Sequence, residues 1–186
     1  YQSPISNPQP PNPFSSMSSI WQSFVPYHVA YELWQHPDGD PTEREQRFEA
    51  VLLFADVSGF TAMSEALATL GKPGAEGLTA VLNHYFEPMI ALIRSYGGIV
   101  GKFGGDAMTI FFPCGSTNQR EVGRRAIQCA LHMQAEMSKY ATIDTRVGTF
   151  SLSMKMGLAI GSIFCTTVGD PRLRLEHIIA GQALDL

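Results

Sequence analysis

Hydrophobic residues change their period several times along this chain, and each change marks an element. The first sustained pattern is the apolar run Val51-Leu52-Leu53-Phe54-Ala55, which reads as a buried strand ending on a single carboxylate, Asp56. Val57-Ser58-Gly59 then leads into a helical pattern from Thr61 to about Leu70, stopped by Gly71 and the Pro73-Gly74 pair. Leu78, Val81, Leu82, Tyr85, Phe86, Met89, Ile90 and Ile93 recur at spacings of three and four. They predict a longer helix from about Ala75 to Tyr96, kinked at Pro88 and closed by Gly97-Gly98. Two short strands, Ile99 to Phe103 and Ala107 to Phe112, enclose Gly104-Gly105-Asp106 so closely that only a tight hairpin joins them. A further helix is expected from about Gln119 to Tyr140, with Val122, Ala126, Ile127, Ala130, Leu131 and Met133 facing inward.

Leu152, Met154, Met156, Leu158 and Ile160 alternate with small or polar residues, the mark of a strand with one buried face. Gly161 is expected to turn it, with Ile163 to Val168 as partner strand, Gly169-Asp170-Pro171 as another turn and Leu175 to Ala180 as the last strand. The fold class is therefore α+β. A ferredoxin-like βαββαβ core with extra strands forms a mainly antiparallel sheet with helices on one face. Residues 1–19 hold five prolines among Ser, Asn and Gln and read as a disordered lead-in. Residues 20–47 read as a short helix starting near Pro26 and a turn-rich, charged linker, its aromatic cluster docking on the domain or on a partner. Residues 48–186 form the domain proper.

Composition narrows the class without changing this picture. A length of 186 residues suits one domain with a substantial core, and 45% hydrophobic with 16% charged residues is ordinary for a soluble globular protein. No apolar run is long enough to span a bilayer. A net charge of -4 with scattered Lys and Arg argues against nucleic acid as partner. Cys114, Cys129 and Cys165 are odd in number and lack metal-ligand spacing, which suits buried thiols in a reducing, cytoplasmic compartment. A start at Tyr1 without a signal pattern reads as a segment of something longer.

Asp56 and Asp106 both end apolar strands, and in such a sheet the first strand and the hairpin are neighbours. Two carboxylates at one edge repel unless a cation lies between them, and oxygen donors favour Mg²⁺, Mn²⁺ or Ca²⁺ over zinc. Free backbone N–H groups in the turn Val57 to Thr61 suit a phosphate, and Gly104 and Gly105 let the hairpin approach the same ligand. Taken singly, Asp56 also fits a helix cap, Asp106 a hairpin corner and Lys102 a solvated strand residue.

Three stretches together, F-A-D-V-S-G-F-T at 54–61, G-K-F-G-G-D-A-M-T-I-F-F at 101–112 and E-H-I-I-A-G-Q-A-L-D-L at 176–186, closely resemble the class III adenylyl/guanylyl cyclase catalytic domain. The likeness runs from about residue 48 to the end and is greatest to the first cyclase domain of the soluble, bicarbonate-responsive branch. The resemblance implies that Asp56, Asp106 and the Val57 carbonyl hold two Mg²⁺ or Mn²⁺ ions, while Ser58, Gly59, Phe60 and Thr61 hold the triphosphate. It implies formation of cyclic AMP and pyrophosphate from ATP at a dimer interface with a second cyclase domain or a second copy. Lys102 matches the lysine that reads adenine, whereas guanylyl cyclases carry Glu there; its usual Asp or Thr companion is Ile178, which cannot hydrogen-bond a base. In the bicarbonate-responsive branch the lysine pocket of the degenerate site holds bicarbonate, a second role open to Lys102. The family's Asn in the last motif aligns with Asp185, and the arginine expected after it lies beyond Leu186, which reads as a C-terminally incomplete domain. Two alternatives remain beside the adenylyl cyclase. One is a catalytically silent regulatory module that binds nucleotide or bicarbonate. The other is a diguanylate cyclase, ranked lower because its Gly-Gly-Asp hairpin needs an acidic residue where Ala107 stands.

Overall fold

The computed structural model describes residues 25–36, 39, 40, 42 and 44–184. The expected lead-in over 1–19, Trp21, Phe24 and Asp185 lie outside them. The described chain runs α1 (Tyr27–Gln35), β1 (Glu45–Ser58), α2 (Phe60–Ala68), α3 (Lys72–Ser95), β2 (Ile99–Gly104), β3 (Ala107–Pro113) and α4 (Gln119–Met137). It continues with β4 (Ile143–Thr145), β5 (Gly148–Phe150), β6 (Ser153–Asp170) and β7 (Arg174–Ala180). The main sheet has five strands in the order β2-β3-β1-β6-β7. Every neighbouring pair is antiparallel.

Strand β1 is the axis of this sheet, and its residues alternate between two cores. Val51, Leu53, Ala55 and Val57 join Met89, Ile93, Ile110, Phe112 and Met133 in the larger core, beneath α3 and α4. Ala50 and Leu52 join Phe111, Ile163 and Cys165 in a smaller core on the back of the sheet. Each fully buried side chain of this size contributes about 1.5–3 kcal/mol, so the two faces of one strand tie both layers together. Helix α1 lies on the back face, the exception to helices on one side: Val29 and Ala30 are buried and the His28 ring meets Phe111 edge-on at 5.1 Å. Of the two partners open to this segment, the described part of α1 packs on the domain's own back face.

Several boundaries differ from the periodic pattern, each for a local reason. Strand β6 does not turn at Gly161; it is one 18-residue strand, because β1 supplies ladder partners without interruption from Glu45↔Thr166 to Ser58↔Ser153. The charged residues Glu45 to Arg47 belong to β1 for the same reason, since backbone pairing rather than burial holds them. The reversal comes at Pro171 to Leu173, where Leu173 N–H bonds the Asp170 carbonyl at 2.9 Å. Helix α3 starts at Lys72, so Pro73 opens it instead of stopping its predecessor; a first-turn proline lacks only an N–H that has no helical partner. The short β4–β5 hairpin has no counterpart in the expected elements.

Helix α4 buries Val122, Ala126, Cys129, Ala130, Met133 and Met137. Ile127 and Leu131, expected inward, are 52% and 64% exposed. They lie one residue, about 100°, round the helix from Ala126 and Ala130. The small residues Ala126, Cys129 and Ala130 let the helix approach the sheet, and that approach selects which stripe is covered.

Candidate active site

The β1–β3 ladder ends at Ala55↔Met108, and the β2–β3 hairpin closes at Gly104↔Ala107. Asp56 is thus one step beyond the last β1 pair, and Asp106 stands in the adjoining hairpin turn after Gly105, whose φ is 71°. The fold brings the two aspartates to the same rim of the sheet. Both are half-buried, and among the described residues neither carboxylate makes a side-chain hydrogen bond or an ion pair. Lys155, directly across β6 from Asp56, is exposed and does not pair with it. Both charges are felt by the buried Tyr85 hydroxyl of α3, which is pushed well above its usual range by burial first, then by Asp106, Tyr140 and Asp56. Periodicity marks Tyr85 only as a core residue, and its place beside the aspartates becomes visible once α3 is folded over the sheet.

Immediately after Asp56 the chain turns into α2. Gly59 is its N-cap with φ 94°, a left-handed conformation, and a Cβ there would stand 2.3 Å from the Ser151 carbonyl oxygen. No side chain caps this helix, and its first backbone bond runs from Met63 N–H to Gly59. The N–H groups of Phe60 and Thr61 therefore lack a helical acceptor beside the aspartate rim, an arrangement that accepts an anion.

Lys102 pairs with Thr109, and Thr109 pairs with Phe54, so the three form one cross-strand row on the back face. Alternation along β1 puts Asp56 on that face too, two residues beyond the half-exposed Phe54. The register shift between Val100 and Lys102 makes Gly101 a bulge in β2. A Cβ on Gly101 would lie 2.3 Å from Ile179 Cδ1 and 2.9 Å from Phe111, so the bare glycine makes room for the Ile179 side chain of β7. Ile179 is the β7 residue held against the Lys102 strand. Its neighbour Ile178 pairs across from Thr166, on the other face of β7, and is 40% exposed.

The antiparallel α+β sheet is that of the nucleotidyl cyclase catalytic domains, and two aspartates share one of its rims beside a strand-to-helix turn. The family described as "Adenylate and Guanylate cyclase catalytic domain" matches residues 43–176, and the chain belongs to it. It is 32% identical over 140 residues to adenylate cyclase type 10 of Oryctolagus cuniculus, covering 74% of this chain and 8% of that protein. It is 29% identical over 143 residues to an adenylate cyclase of Anabaena cylindrica, covering 73% of this chain and 25% of that one. The solved adenylyl cyclase CyaB from P. aeruginosa is 27% identical, with a TM-score of 0.62 over 76% of this chain and 70% of that one. The chain thus spans a small part of the length of these curated relatives. No helix among the described residues is long and apolar enough to cross a membrane.

Proposed function

We propose that this domain forms cyclic AMP and pyrophosphate from ATP at a site completed by a second cyclase domain, and that it contributes the metal-binding aspartates. The observation that carries this reading is the pair Asp56 and Asp106: two half-buried carboxylates at one rim, with no basic partner among the described residues, beside an uncapped helix N-terminus. Like charges held half-buried at one rim without a counter-charge repel, so the donor set fits hard divalent cations, Mg²⁺ or Mn²⁺. Asp56, Asp106 and the Val57 carbonyl would hold these ions, which when bound supply positive charge to the ribose 3′-oxygen and the leaving phosphates. The N–H groups from Ser58 to Thr61 bind the triphosphate and hold it in line with the aspartate rim. Lys102, on the same face, orients the base, and adenine is favoured because a lysine stands there and the named relatives are adenylate cyclases.

In the full-length protein with Mn²⁺ and ATP, mass spectrometry should find cyclic AMP. Asp56→Asn or Asp106→Asn should lower its rate by about 100-fold or more, since each removes a ligand whose charge acts in the transition state. Turnover within twofold of the parent in either variant would sink the assignment.

Ile178 favours a second reading, a regulatory module that binds nucleotide or bicarbonate without turning it over. An apolar side chain on the outer face of β7 offers no hydrogen bond to a base. Calorimetry separates the two: binding of bicarbonate but not of a non-hydrolysable ATP analogue with Mn²⁺ supports the module, and nucleotide binding that depends on Asp56 supports the cyclase.

A further inference from the structure

The back of the sheet carries a second group of ligand-type side chains, well apart in sequence from the aspartates. His28 of α1, Cys165 of β6 and His177 of β7 each offer one donor atom, and the three atoms lie within 4.8 Å of one another. The ladder sets two of them: Cys165 pairs with Ile179 and Thr167 with His177, so Cys165 and His177 share a face of the β6–β7 hairpin. His28 arrives from a helix 149 residues earlier, and its Nε2 stands 2.8 Å from His177 Nε2. Two imidazole nitrogens in that position hold one proton between them, and Cys165 is the third donor-type atom of the group. His28 Nδ1 is buried without a hydrogen-bond partner among the described residues, so hydrogen bonding alone does not account for this ring's placement. Thr167 Oγ1 lies 3.4 Å from His177 Nδ1, which leaves the Nε2 atom for the cluster. Both rings are held neutral, the ligating form: burial and then the neighbouring His177 lower His28 to about 4, and burial lowers His177.

We propose that His28, Cys165 and His177 form a zinc site that fastens α1 to strands β6 and β7. Two imidazoles and a thiolate are a donor set for Zn²⁺, and a poor one for the Mg²⁺ or Mn²⁺ suited to Asp56 and Asp106. Tetrahedral zinc wants these donor atoms about 3.3–3.8 Å apart, so as the ion enters the imidazole pair, now at 2.8 Å, opens by about half an ångström and the donors that stand as far as 4.8 Å apart close by about one. On binding, Cys165 gives its proton to solvent, the proton held between the two Nε2 atoms is replaced by one on the Nδ1 of the ring that carried it, so that ring stays neutral, and a water takes the fourth position. Occupancy also steadies β7, whose Ile179, two residues after His177, rests its Cδ1 against Gly101 beside Lys102.

The test uses the tag-free chain, stripped with a chelator and titrated with Co²⁺ and then Zn²⁺ alone. One equivalent of Co²⁺ should give a tetrahedral d–d spectrum with a thiolate-to-cobalt charge-transfer band, bleached by one equivalent of Zn²⁺. Asp56→Asn should leave both signals intact, while Cys165→Ala should abolish the charge-transfer band and weaken Zn²⁺ binding by about 100-fold or more. His177→Gln should weaken Zn²⁺ to a similar extent and keep Cys165 in place as an independent variant. Absence of a charge-transfer band in the parent chain would overturn the site without recourse to any variant, as would Zn²⁺ affinity unchanged in Cys165→Ala.

Discussion

Asp56 is set apart by the turn beside it. A carboxylate at a strand end is ordinary when a lysine or a helix cap neutralises it, but Lys155 stays apart from Asp56 and the next helix is capped by a glycine. Gly59 is the residue on which the turn depends. It combines a left-handed backbone with a contact that no Cβ could make, 2.3 Å from the Ser151 carbonyl. Gly59→Ala should therefore destabilise the domain by about 2–3 kcal/mol, the sum of αL strain and displacement of a backbone neighbour. Chemical denaturation measures that loss, and a stability unchanged within about 0.5 kcal/mol, the noise of a surface substitution, would contradict the turn geometry. Asp56, Ser58, Gly59 and Asp106 were legible as candidates because strand ends and glycine turns leave a local mark. Tyr85 was not, because its apolar ring satisfies the helical period whether or not its hydroxyl feels the two carboxylate charges.

At the scale of elements, hydrophobic period located β2, β3, α3 and β7 to within a few residues, and it failed where pairing or approach decides, as at the start of β1, six residues before Val51. Period two continues through Gly161 but says nothing of the strand beside it. The unbroken ladder to β1 makes β6 a single strand. In α4 two stripes of comparable hydrophobicity competed, one through Ile127 and Leu131 and one through Cys129 and Met133. The sheet accepted the stripe with small residues at the contact, leaving Leu131 64% exposed and Met133 fully buried. Substitution distinguishes the two faces. Met133→Ala should cost about 2–5 kcal/mol as a cavity in the larger core, whereas Leu131→Ala should fall within about 0.5 kcal/mol of the parent in an equilibrium urea titration. Equal losses at the two positions would mean that α4 is rotated from the orientation described.

For the whole molecule, the decisive contacts join segments that no local pattern connects. His28 reaches His177 across 149 residues, and the Ile179 side chain of β7 reaches β2 across the back of the sheet, where Gly101 leaves it room. The same back face carries the row Lys102, Thr109 and Phe54 beside Asp56. Phe54 is 51% exposed there, and its cross-strand neighbours are Thr109 and Gly157, which offer an aromatic ring little cover. An exposed ring in a row with Lys102 and near Asp56 suits an interface with a complementary domain, which the proposed cyclase site needs for completion. Specific activity of the full-length protein should accordingly depend on pairing, and Phe54→Ser should reduce it while leaving the melting temperature of the isolated domain within about 2 °C, because little buried area is lost. Size-exclusion chromatography with light scattering, run on parent and variant over a concentration series beside the cyclic AMP assay, checks both halves of the expectation. Association and activity falling together would place Phe54 in the interface. Activity lost with association unchanged would place the ring against the substrate, and a drop in melting temperature alone would assign it to the fold.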